Sequence, residues 1–297
     1  MSPQIALGLA ALGRPGYLNV GHGDDLGADV SVEALRARSF EVLDAAWAAG
    51  VRWFDAARSY GRAEEFLGAW LRERGIAPGD ATVSSKWGYA YTAGWRVDAD
   101  PPEVKELTLD QLRRQWVQTR ALLDDHVDLY QIHSATIDSG VFDDGPLLAA
   151  LTELRDGGVD IGLSTSGTDQ AAAIDRAREL DVFTSVQSTW NLVERSAGDA
   201  LQRAHASGMR VMVKEALANG RLTPRGDTAF DDAQALAGVL ARPWVDVVLS
   251  GAATVEQLHS NLRALDVEWT DELERRAADL VEPPGAYWEH RGSMAWT

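Results

Sequence analysis

The chain has 297 residues, 45% of them hydrophobic, enough apolar surface for one large core or two ordinary ones. Its 45 acidic residues against 28 basic ones leave a formal charge of −17, which argues against nucleic acid or an anionic membrane as a partner. The absence of cysteine excludes disulfides, thiol nucleophiles, iron–sulfur clusters and thiolate metal sites. No apolar run reaches the roughly 18 residues that a bilayer crossing needs, and the start MSPQIALGLAALGRP lacks the basic region and longer apolar core of a secretory signal. A cytoplasmic protein is the expectation.

In chain order, IALGL opens as a weak strand, and from Ser31 helical pattern alternates with short apolar runs. SVEALRARSFEVLDAAWAAG has helical apolar spacing, a Ser31 cap and a Gly50 stop, and leads to the strand VRWFD. AEEFLGAWLRERG leads to ATVSSK; TLDQLRRQWVQTRALL, opened by Thr108, leads to VDLYQIH; GPLLAALTELRDGG leads to VDIGLST. TDQAAAIDRARELD then leads to TSVQS, AGDALQRAHASG to MRVMVK, and DTAFDDAQALAGVLA to VDVVLSG, before TVEQLHSNLRAL closes the series. Residues 20–30, 87–106 and 134–145 read as long loops, and the chain ends in PPGAYWEHRGSMAWT.

About eight strand–helix units with no linker between them predict an α/β fold, a closed (β/α)8 barrel forming one domain over residues 1–297. The alternative is an open doubly wound sheet, but GLAALGRPG after the first strand is not the G-x-G-x-x-G such a sheet would carry there. In a barrel the active site lies at the C-terminal ends of the strands. The last residues of the apolar runs are Asp55, Lys86, His133, Ser164 with Thr165, Gln187, Lys214 and Ser250, and Tyr60 follows Asp55 closely. Each has an ordinary role in isolation: Asp55 as a cap, Lys86 as a surface lysine, His133 as a core histidine, Tyr60 as packing. An acid, an ammonium, an imidazole and a phenol converging on one mouth point instead to proton transfer at a carbonyl. The phenol needs a neighbouring cation to favour phenolate, the carboxylate holds that ammonium charged, and a neutral imidazole orients the substrate oxygen. None of these groups supplies electrons, so a redox reaction would need a bound hydride carrier. A strand-end lysine also suits Schiff-base chemistry, which leaves a lyase using Lys86 open, as is a nucleotide-binding redox-sensing protein with little turnover.

FDAARSYGRAEEFLG, VSSKWG, VDLYQIH, IGLSTS, SVQSTWNLVER, KEALANGRL and SGAATVEQLHSN, taken together and in this order, resemble the signature segments of the aldo-keto reductase superfamily from about Ile5 to Leu265. The resemblance implies reversible reduction of an aldehyde or ketone, with Tyr60 as general acid, Lys86 and Asp55 as its tuning pair and His133 as the orienting residue. It also implies NADPH as cofactor, with NADH left open. Ser164, Thr165, Gln187, Lys214 and Leu217 would contact the nicotinamide half, and Ser250, Gly251, Gln257 and Asn261 the adenosine half. Three departures stand out. Thr165 replaces a common Asn, Lys214 replaces a common aromatic residue, and Gly251, Ala252 and Gln257 fall where basic residues select a 2′-phosphate, a role left to Arg221 or Arg225. Trp87, Phe142 and Trp288, among many aromatics in the loops and tail, would line a largely apolar substrate pocket. The expected partner is a small carbonyl or alcohol; no metal site is expected, and the chain would be a monomer or weak homo-oligomer.

Overall fold

The computed structural model describes residues 3–226 and 228–297. Eight parallel strands close on themselves: β1 (Gln4–Gly8), β2 (Trp53–Asp55), β3 (Thr82–Trp87), β6 (Val127–Ala135), β7 (Asp160–Thr165), β8 (Ser185–Thr189), β9 (Arg210–Lys214) and β10 (Val247–Ser250), with β10 pairing back onto β1. The (β/α)8 barrel predicted from the alternation is therefore the observed fold. All eight sequence runs became barrel strands, and what they share is an apolar residue at the positions covered by the helices, with polar residues admitted on the interior face.

The helices also follow their capping signals. α2 (Val32–Ala48) starts where Ser31 accepts from the Ala34 amide, and it ends before Gly50, whose φ of 90° an L residue resists. α4 (Leu109–Leu123) starts where Thr108 accepts from the Gln111 amide. α8 (Asp232–Leu240) carries a reciprocal capping box between Asp231 and Gln234. The helix expected from Asp227 thus begins later, and Asp227 itself lies outside the described residues.

Three segments read as loops hold structure. Residues 87–106 contain an antiparallel ribbon of β4 (Tyr89–Tyr91) and β5 (Glu103–Lys105), residues 20–30 contain α1 (His22–Leu26), and residues 134–145 contain a single 3₁₀ turn. Three-residue strands separated by a long Gly- and Pro-containing connection leave no period to detect. After α9 (Val255–Leu262) and α10 (Asp271–Ala278), the tail forms α11 (Pro284–Ser293).

Side-chain alternation divides the core. Leu7, Phe54, Val83, Tyr130, Ile132, Leu163, Val186, Val213 and Val248 face outward into the layer between strands and helices. Ala6, Trp53, Leu129, Met212 and Val247 fill the interior at the N-terminal end of the barrel. The next interior layer is polar, and it floors the site.

Candidate active site

The interior-facing residues one step above the apolar plug are Asp55, Ser84, Lys86, Gln131 and Gln187, each almost completely buried. They form one network centred on the Asp55 carboxylate. Lys86 Nζ donates to Asp55 Oδ2 and, at 3.0 Å, to the Ala56 carbonyl; Ser84 Oγ donates to Oδ1 at 2.7 Å, and the amides of Gln131 and Gln187 approach the same oxygen at 3.2 and 3.3 Å. A buried ion pair is tolerable when its remaining lone pairs and protons are satisfied, and here four donors meet one carboxylate.

Tyr60 lies above this pair because the chain leaving β2 turns back over the strand ends. The Arg62 amide donates to the Gly13 carbonyl at 2.7 Å, and Gly61 sits at φ 59° where a Cβ would come within 2.4 Å of that carbonyl oxygen. Only glycine permits this approach of two backbones. Lys86 Nζ then lies 4.9 Å from the Tyr60 ring centroid, with the Arg14 guanidinium 5.3 Å from the same centroid. Burial first, and the Asp55 charge second, push the Tyr60 phenol well above its ordinary value, with Arg14 acting in opposition. His133 packs edge-on against Tyr60 with 5.5 Å between centroids, and its Nδ1 pairs with Ser59 Oγ at 3.3 Å. Burial and then the charges of Lys86, Lys214, Arg14 and Lys105 push the imidazole well below its ordinary value, so it is neutral at physiological pH.

Asp55, Tyr60, Lys86 and His133 are thus brought together, and Asp55, Tyr60 and His133 line one end of a cavity of about 1000 Å³. The walls of that end include Tyr89 and Trp296, two of the loop and tail aromatics, together with Arg14, Tyr17, Glu103 and Arg291, which were not among the expected site residues. Arg14 donates to Glu103 at 2.9 Å and to the Ser59 carbonyl at 2.8 Å, and Arg291 forks onto Glu215 at 2.5 and 2.9 Å. Burial opposes the Glu215 charge, yet Lys214 and Arg291 overcome it and hold the carboxyl down at about 2; burial depresses Lys214 to about 8 against the pull of Glu215.

The cavity continues past Gln187, Lys214 and Leu217 to Ser250, Gly251, Gln257 and Asn261. Segment 17–25 roofs it from one side. Val20 N donates to the Asn219 carbonyl at 3.0 Å, Asn219 Nδ2 to the Leu18 carbonyl at 2.8 Å, and Arg225 forks onto Asp25 at 2.5 and 2.8 Å. Beneath, Ser164 Oγ faces inward and accepts from the Ser134 amide at 2.8 Å, where Ser134 holds a positive φ of 53°. Thr254 caps α9 by accepting from the Gln257 amide.

Four expected positions are corrected. Thr165 is one step past Ser164 on β7, so it points outward and donates to Ser188 Oγ at 2.9 Å in the strand–helix layer. Trp87 is one step past Lys86 and is buried in the same outer layer. Phe142 packs on Phe183, and Trp288 packs on Tyr287 and under Arg291; neither reaches the cavity wall. The pocket walls are consequently charged and aromatic rather than largely apolar. The same alternation offers a signal for two residues that were missed: Ser84 and Gln131 lie two positions before Lys86 and His133, hence on the same face. Arg14, Glu103 and Arg291 had none, since each comes from a loop, a short ribbon or the tail.

Among the described residues no cluster of His, Asp and Glu could hold a metal ion, and no helix is long and apolar enough to cross a membrane. A closed parallel barrel with a phenol, a buried lysine–aspartate pair and a neutral histidine at its C-terminal mouth defines the class: a (β/α)8 oxidoreductase scaffold. The chain belongs to the aldo/keto reductase family, whose model matches residues 31–235. It is 27% identical over 310 aligned residues to the oxidoreductase YrpG of Bacillus subtilis, covering 89% of this chain and 93% of that one. It is 28% identical to the pyridoxal 4-dehydrogenase of Microbacterium luteolum, covering 70% of each. Among solved structures it is similar in fold to an aldo-keto reductase of Bacillus halodurans in its holo form (TM-score 0.71, 19% identity, 94% and 92% covered). The glycerol dehydrogenase of Gluconobacter oxydans is similar to the same degree (TM-score 0.71, 22% identity, 93% and 90% covered). The protein is therefore an oxidoreductase of a family that uses nicotinamide cofactors.

Proposed function

We propose that the protein interconverts an aldehyde or ketone and the corresponding alcohol, with Tyr60 passing the proton. The observation that carries this reading is the Lys86–Asp55 pair buried beneath the Tyr60 ring, with neutral His133 against that ring. A bound nicotinamide would supply the hydride in reduction and accept it in oxidation. In reduction the carbonyl carbon gains that hydride and its oxygen gains the phenolic proton of Tyr60. The raised phenol keeps its proton until charge develops on the substrate oxygen, and the adjacent Lys86 ammonium then stabilises the phenolate left behind. With Ser59 donating to Nδ1, His133 presents Nε2–H to the substrate oxygen and holds it toward Tyr60.

Gln187 and Lys214 suit the nicotinamide end, with Ser164 behind the wall holding the lining residue Ser134, and Leu217, Ser250, Gly251 and Gln257 suit the length of a dinucleotide toward α9. Asn261 is turned inward: with its oxygen accepting from Ser250 Oγ at 2.8 Å, its amide nitrogen donates to Asp232 Oδ2 at 3.0 Å. The far end is lined by Asp24, Asp25, Asp231, Asp232 and Glu256. Its two guanidiniums are engaged: Arg225 by Asp25, and Arg263 by Ser260 at 2.8 Å with Asp232 at 3.9 Å. An added ribose phosphate would meet an end where five carboxylates outnumber two guanidiniums, both already engaged, so the groove favours NAD(H), against the NADPH that the family resemblance implies.

Equilibrium titrations with NADH and NADPH, read through tryptophan fluorescence, test both statements when run beside Tyr60→Phe. NADH should bind at least about tenfold more tightly, a difference of ~1.4 kcal/mol. Tyr60→Phe should bind NADH as the parent does and lose carbonyl turnover by ~10³-fold or more. Full turnover by Tyr60→Phe would refute the proton-transfer role, and a preference for NADPH would refute the cofactor assignment.

A further inference from the structure

The hydride-transfer reading leaves the substrate unspecified, and the charges inside the cavity narrow it. The chain has only three lysines, Lys86, Lys105 and Lys214. All three act on one imidazole, that of His133, together with Arg14. Arg14, Lys214 and Arg291 line this end of the cavity, with Lys86 buried beneath it and Lys105 exposed beside it. Facing them are three carboxylates, and each is committed to a partner: Asp55 to Lys86, Glu103 to Arg14 and Glu215 to the fork of Arg291.

Two ammonium groups are left over. Lys214 Nζ donates to Thr189 Oγ1 at 2.8 Å and lies 3.7 Å from Glu215 Oε1, an oxygen that Arg291 already holds. Lys105 Nζ donates to the Ser134 carbonyl at 2.7 Å, and among the described residues no carboxylate lies within ion-pair distance of it. Ser134 belongs to the cavity wall, and Tyr89, over which Lys105 lies, packs on His133. In a protein of charge −17, the catalytic end of the cavity is locally positive while its far end is acidic. Lys214 is largely buried in the cavity wall, where an incompletely neutralised cation is costly unless an anion completes it, and Lys105 stands exposed behind the Ser134 wall, where it adds to the field that draws such an anion in.

We propose that the substrate carries an oxyanion group, a carboxylate or a phosphate, within a few bonds of its carbonyl, and that Lys214 and Lys105 hold it. This rests on the oxidoreductase reading above. The cofactor's own pyrophosphate is the competing claimant for these charges, so the measurements are made with the nicotinamide cofactor present.

Matched substrates separate the possibilities: succinic semialdehyde against butanal for a carboxylate, and glyceraldehyde 3-phosphate against glyceraldehyde for a phosphate. The anionic member of at least one pair should show a kcat/KM about tenfold higher or more, with the gain in KM and with the ratio shrinking as salt rises from about 0.05 to 0.5 M. Lys105→Met should lower that anionic-to-neutral ratio several-fold, and Lys214→Met should lower it further. Ratios at or below one in both pairs, with neutral carbonyls turned over, overturn the substrate assignment and leave the oxidoreductase reading standing. If no carbonyl is turned over, that reading falls, and the anion site is decided by tryptophan-fluorescence titration with succinate against butane-1,4-diol. Selective succinate binding that both lysine substitutions weaken supports the site; no such binding overturns it.

Discussion

Replacing Lys86 with methionine separates the structural role of the buried ion pair from its chemical one. The substitution keeps most of the side-chain volume and leaves the Asp55 carboxylate, 1% exposed, with Ser84, Gln131 and Gln187 as its donors. Stranding one member of a buried pair costs about 3–5 kcal/mol, and three remaining neutral donors place this case near ~3 kcal/mol. At about 2.1 cal/mol/K per residue, unfolding of 297 residues carries an entropy of ~0.6 kcal/mol/K, so the melting temperature should fall by about 5 °C. The double variant Asp55→Asn/Lys86→Met removes both charges and should recover to within about 1–2 kcal/mol of the parent, since a neutral substitute for a buried pair is often nearly neutral in stability. Calorimetry or urea unfolding reads the cycle. Carbonyl turnover should stay low in both variants, by ~10²-fold or more, because neither has an ammonium beside Tyr60. A loss below ~1 kcal/mol in Lys86→Met, or a double variant no more stable than the single one, would refute the account of Asp55 as a carboxylate held by its lysine.

Two further outcomes follow from groups outside the reacting set. His22 is fully buried with neither ring nitrogen bonded to a protein atom, and burial, opposed by Asp25, lowers it to about 4. The unfolded chain takes up that proton below about 6.5 and the folded one does not until about 4, so this one group should cost ~1.4 kcal/mol of stability per unit as pH falls between those values, and the buried His133 adds its own share. His22→Phe should remove one proton's share of that slope, leaving His133's, and urea midpoints across pH 4–7 check it. The Arg225–Asp25 fork closes segment 17–25 over the cavity, and the Asp25 side chain is only 6% exposed. Asp25→Ala should raise the stopped-flow release rate of NADH by about tenfold, the equivalent of ~1.4 kcal/mol, and an unchanged rate would show that the fork is no latch.

Much of this molecule was legible in the sequence alone. The barrel, its eight strands, the caps at Ser31 and Thr108, and the convergence of Asp55, Tyr60, Lys86 and His133 all follow from local periodicity and from the rule that barrel sites lie at strand C-termini. Those signals are local because a barrel strand must be apolar where the helices cover it, and because a helix must satisfy its own terminal amides. Which strand-end residues face inward was also encoded in the alternation, yet taking Thr165 together with Ser164, and Trp87 as an aromatic of the loop after Lys86, put both in the site when they face outward.

Only the tertiary structure decided the rest. The four donors on Asp55 come from β3, β6 and β8, and the walls of the substrate end come from the β1 loop, the β4–β5 ribbon and the tail. Arg14 meets Glu103 across 89 positions and Arg291 meets Glu215 across 76. No window of sequence reports such pairings, because the energy of a charge in a cavity depends on which other charges the fold brings beside it, and closure of the barrel sets that. The positive catalytic end and the acidic far end of a single groove, in a chain whose composition is acidic throughout, are products of that closure.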